Sequence, residues 1–94
     1  MDCWQVPKPT FKTEYAALRD LLRETRIEKG FTQVQLSEAL EMPQSYVSKY
    51  ETGERRLDIV ELRQVCLSLG TTLIAFTRKL EARMPARQTG GLAS

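Results

Sequence analysis

Apolar residues recur at helical intervals along most of the chain, and each recurrence ends at a residue that stops helices. Between residues 14 and 29, Tyr15, Leu18 and Leu22 share one face with Arg26 a turn further on, flanked by Leu21 and Ile27. Gly30 follows at once as the C-terminal stop. Thr32 and Gln35 have the spacing of a capping box, so a second helix opens there. Val34, Leu36 and Leu40 form its apolar side, with small Ser37 and Ala39 between them. Glu41-Met42-Pro43 ends it, because the residue before a proline is pushed out of the α region. Proline suits the first turn of the next helix, expected over 44–51 with Val47 and Tyr50 inward. Gly53 tolerates the positive φ that closes this helix. Asp58 and Glu61 repeat the capping-box spacing ahead of Ile59, Leu62, Val65, Cys66 and Leu69. After Gly70, Thr71 or Thr72 caps a last helix carrying Leu73, Phe76 and Leu80. The pattern predicts an all-α domain of five helices over residues 14–82.

The ends have no such period. Residues 1–13, with two prolines, Trp4 and Phe11, read as a flexible N-terminal arm, a tether with an aromatic tucked onto the nearest helix, with contact to a partner or a DNA backbone through Lys8 and Lys12 as the alternative. Pro85 and the glycine pair 90–91 mark a tail, 83–94, expected to be disordered. At 94 residues the chain has room for one small core. No apolar run approaches the roughly 20 residues that span a membrane. The amino terminus lacks the charged-then-apolar pattern of a signal peptide. A soluble cytoplasmic protein with no membrane association is the expectation.

Chemistry is narrowed by what the chain lacks. There is no histidine, so a Ser–His or Cys–His nucleophile has no base, and no glycine-rich phosphate loop is present. An enzyme is not expected, nor a metal site without histidine or a close cysteine pair. Cys66 falls on an apolar stripe as a small hydrophobe, and Cys3 lies in the arm. No cofactor is expected. The net charge is only +2, so a polyanion partner depends on where the charges sit.

The outward side of the third helix carries Gln44, Ser45, Ser48 and Lys49, a row of hydrogen-bonding groups with few carboxylates. A helix fits the major groove, where each base pair shows its own donor and acceptor pattern. Gln44 suits adenine and Lys49 suits guanine, while the two serines are sequence-tolerant. Backbone contacts set the register. The helix start at Thr32 and Gln33 favours a phosphate. Thr52, Arg55 and Arg56 flank the other side, with solubility as the alternative role of the two arginines. Tyr46 either packs on the first helix or lines the groove.

With Gln33 and Gln44 opening two helices, apolar Leu36, Leu40, Met42, Val47 and Tyr50, and the run QSYVSKYETGERR, the chain resembles the Cro-like (XRE, phage-repressor type) helix-turn-helix regulators. The resemblance spans roughly residues 14–80. It implies a lambda-repressor-like fold and a sequence-specific regulator, a repressor, binding double-stranded DNA as a homodimer. It implies that Gln44 lies on a base while Gln33 holds a phosphate and braces Gln44. It also implies that Arg26 pairs with Glu51 as a structural ion pair, and that Leu73, Phe76 and Leu80 are shared with a dimer interface. Two-fold dimers place half-sites about 34 Å apart. Glu41 departs from the glycine common in this turn, which asks a non-glycine residue for a left-handed conformation. The rival is an antitoxin or anti-regulator that holds a protein partner through the last helix and tail, since fold does not fix function.

Overall fold

The computed structural model describes residues 8–84; the expected arm and tail, with Cys3 and Trp4, fall largely outside the described residues. Five helices follow one another: α1 (Lys8–Glu28), α2 (Gln33–Ala39), α3 (Ser45–Thr52), α4 (Ile59–Ser68) and α5 (Leu73–Arg83). No strand occurs among the described residues, and none of the helices is long and apolar enough alone to cross a membrane.

The first helix starts at Lys8, not Glu14, so residues 8–13 belong to α1 and not to an arm. The prolines hid this. Pro9 lies in the first turn, where an absent N–H is harmless because no helix carbonyl lies four residues before it to accept a bond.

Caps set the other starts. Thr32 accepts from the Gln35 amide while Gln35 Oε1 accepts from the Thr32 amide, each at 3.0 Å. Asp58 and Glu61 exchange the same two bonds at 2.7 and 3.0 Å. Thr72 caps α5, accepting from the Ala75 amide at 3.1 Å. Each cap contributes about 1 kcal/mol.

Three helices end alike. In α1 the Gly30 and Phe31 amides donate back to Ile27 and Arg26, and in α4 the Gly70 and Thr71 amides donate back to Leu67 and Cys66. At the end of α2 the Glu41 and Met42 amides donate to Glu38 and Ser37 in the same pattern. This paired closure requires a left-handed residue. Glycine supplies it at 30 and 70, whereas Glu41 adopts φ 59°.

Every helix feeds one core. Leu22, Leu36, Val47, Tyr50, Val65 and Phe76 are nearly or fully sealed from solvent. Truncating one such leucine to alanine costs about 2–5 kcal/mol. Ser37 is also sealed, and its Oγ donates to the Gln44 carbonyl and accepts from the Val47 amide, tying α2 to the start of α3. Three expected core residues are exposed. Val34 lies on the side of α2 opposite Leu36, Met42 is in the turn, and Ile59 is the first residue of α4.

Candidate nucleic-acid interface

The site begins at the α2–α3 turn, because α3 can present a face only if its other face is held. Val47 and Tyr50 hold it from the core side, and Tyr46 joins them. The Tyr46 ring meets Tyr50 edge-on at 5.7 Å. Tyr46 is therefore buried packing and does not line a groove, and burial raises its hydroxyl pKa. Tyr50, still more enclosed, is shifted further in the same direction for the same reason.

The exposed face is left to polar side chains. Gln44, Ser45 and Lys49 are exposed and Ser48 is half-buried. Gln44 occupies the N-cap position of α3 in a helical conformation, and its side chain makes no capping bond. Its amide therefore remains available to an outside partner.

A single carboxylate anchors this face. Arg26 Nε donates to Glu51 Oε2 at 2.8 Å, Arg26 Nη2 to Oε1 at 3.1 Å, and Gln33 Nε2 also to Oε1 at 3.0 Å. The third Arg26 nitrogen, Nη1, donates to the Phe31 carbonyl at 2.8 Å. Four segments meet here: late α1, the α1–α2 turn, the start of α2 and the end of α3. Gln33 thus braces Glu51 and makes no such bond to Gln44, because the carboxylate is the stronger acceptor.

The candidate backbone contacts divide. The Thr32 amide is already used by Gln35, so it is not a free donor for phosphate. Thr52 is exposed, with its hydroxyl donating to the Lys49 carbonyl at 3.1 Å. Arg55 donates to both Glu61 oxygens, at 3.1 and 2.6 Å, and lies 4.9 Å above the Tyr46 ring. Arg56 is exposed and stacks 4.1 Å above Tyr15. Both arginines are thus positioned by the protein itself. Arg55 holds the Glu61 carboxyl below its usual pKa, helped by the Asp58 amide.

Sequence reasoning placed Glu61 in a cap and missed its grip on Arg55. No periodic signal joins residues six apart across a loop.

The residues expected to be shared between core and dimer interface fall at different depths. Phe76 is 2% exposed and belongs to the core, while Leu73 and Leu80 are half-buried against it. The large apolar side chains left in solvent on α4 and α5 are Ile59, Val60, Leu67 and Ile74. Helical spacing aims the last helix's 73, 76 and 80 at its own core, so Ile74 is its large apolar residue turned outward.

Residues 22–76 match the helix-turn-helix family. An uncharacterized HTH-type transcriptional regulator of Bacillus subtilis, YqaF, is 30% identical over 53 residues, covering 56% of this chain and 70% of that protein. Among solved structures, an XRE-family like protein from Pseudomonas syringae pv. tomato is 46% identical, with a TM-score of 0.77 over 83% of this chain and 95% of that one. The clp gene regulator ClgR of C. glutamicum is 29% identical, with a TM-score of 0.67 over 77% of this chain and 92% of that one.

Proposed function

From the premise that this chain belongs to the helix-turn-helix family, as a DNA-binding regulator of XRE type, we propose that it reads a specific double-stranded operator through α3 and acts as a repressor. The observation that carries this is the outward row of Gln44, Ser45, Ser48 and Lys49 on a helix fixed from behind by Arg26, Gln33 and Glu51. Such a face makes bidentate base contacts at little entropic cost, because the helix beneath it is already ordered. Gln44 pairs with adenine and Lys49 donates to guanine, each discriminating by about 1–3 kcal/mol where the contact is good. Thr52 and Arg56 fix the register on phosphates, with Gln33 and Arg55 beside them.

The protein pairs on a two-fold symmetric site through the exposed Val60, Leu67 and Ile74 on α4 and α5. Ile74→Glu is expected to abolish pairing in sedimentation while leaving the helical fold intact. The same apolar residues favour a second reading, a module whose main partner is another protein.

The test is selection of bound duplexes from a random library, with wild type and Gln44→Ala, at two salt concentrations. A symmetric site enriched by wild type and lost by the variant supports the specific regulator. Salt-sensitive binding without enrichment shifts the weight to the protein-binding reading.

A further inference from the structure

A cleft of about 740 Å³ opens between α1, α3 and the loop that leaves α3, away from the outward row of α3. Its walls include Tyr15, Leu18, Leu22, Tyr50 and Leu57. Around them stand Lys12, Arg19 and Arg56. The ion pairs among the described residues use Arg26, Arg55 and Arg83, and none of these three cations. Two of them are placed by the fold. The Arg19 guanidinium lies against the Gly53 turn, 3.5 Å from where a Cβ on Gly53 would project. Arg56 lies over the Tyr15 ring, an arrangement that uses its face and leaves N–H groups for an acceptor.

Apolar walls with a few placed polar groups, at this volume, are the usual make-up of a small-molecule site. Three cations that pair with no carboxylate among the described residues set the sign of the ligand. We propose that the cleft is an effector site for a small amphipathic carboxylate, its chain or ring against Tyr15, Leu18 and Tyr50 and its carboxylate on Arg19, Arg56 and Lys12. Thr52, which ends the recognition helix, and Gly53 and Arg56, in the loop that leaves it, also line the cleft. An occupant that draws Arg56 into the cleft removes it from a phosphate, so binding lowers DNA affinity. That regulatory consequence rests on the DNA-reading role above; the binding itself does not.

Decanoate, kept below its micelle concentration, is the probe. Calorimetric titration of the full chain is expected to show saturable binding at one site. Neutral decanol should bind at least about tenfold more weakly, as should decanoate to Lys12→Gln/Arg19→Gln, for loss of charge-assisted hydrogen bonds. On the duplex selected above, decanoate should weaken wild-type binding and leave the double variant unaffected. Equal binding of decanol, or undiminished binding by the variant, overturns the proposal. Binding that emerges only after deletion of residues 1–7 overturns it too, because the chain itself then fills the cleft. If no duplex is bound at all, the DNA-reading role fails, while the calorimetry still decides the cleft.

Discussion

Arg26–Glu51 and Arg55–Glu61 are the same two side-chain types in bidentate contact, the first through Nε and Nη2 and the second through Nη1 and Nη2, placed in different surroundings. In the first, the side chains are 9% and 3% exposed; in the second, 37% and 28%. Solvent decides what each is worth. A buried charge that loses its partner cannot be rehydrated without opening the fold, so breaking the first pair strands an ion among packed helices. Either member of the second can turn to water, and salt screens what attraction remains. The inner pair locks α1 to α3, while the outer one aims a loop.

The sharpest way to break this contrast is Glu51→Ala, expected to cost about 3–5 kcal/mol in urea denaturation. An unchanged melting temperature contradicts a stranded Arg26. The buried thiol of Cys66 gives a second readout, since burial pushes its pKa up to about 11 and reaction requires opening. In a Cys3→Ser background, alkylation at neutral pH should accelerate about a hundredfold or more with Glu51→Ala, as 3 kcal/mol implies. The rate should stay near the parent value with Arg55→Ala.

A smaller effect of opposite sign is expected at the α2–α3 turn. Glu41→Gly relieves the left-handed strain but adds freedom to the unfolded chain, for a net gain of up to about 1 kcal/mol. A loss of stability on denaturation would mean that the Glu41 side chain contributes more than its backbone costs.

The least change in folding is expected from Arg55→Ala. At neutral pH its urea midpoint should move far less than that of Glu51→Ala, and less again in high salt. Acid sharpens the comparison. The folded carboxyl of Glu61 lies below its ordinary value of 4.5, so the pair's contribution is complete above that value. It is lost as pH falls through the lower, folded value. Denaturation midpoints of wild type and Arg55→Ala should therefore converge as pH descends through that window, and a difference that persists below it would assign Arg55 a role other than pairing with Glu61.

Much of this molecule was legible in the chain because the signals are local. The capping pairs Thr32/Gln35 and Asp58/Glu61, and the glycine stops at 30, 53 and 70, lie within a turn of what they govern. Arg26 announced itself as a cation on an apolar stripe, and the resemblance supplied Glu51 as its partner. The start of α1 was misplaced because proline punctuates sequence more strongly than it constrains a helix's first turn. Tyr46 stayed open, since periodicity does not separate an aromatic ring on the core's edge from one in a groove.

The sequence by itself determined the number of helices, their caps, most of the inward faces and the polar row on α3. Each follows from interactions between residues a few positions apart. Only the tertiary structure decided that Gln33 braces Glu51, that Arg55 is held by Glu61 and Tyr46, and that Phe76 is spent in the core. It alone brought Lys12, Arg19 and Arg56 around one cleft. Those arrangements join segments as far apart as 44 residues, between Lys12 and Arg56. Their geometry comes from how helices pack, which no short-range pattern encodes.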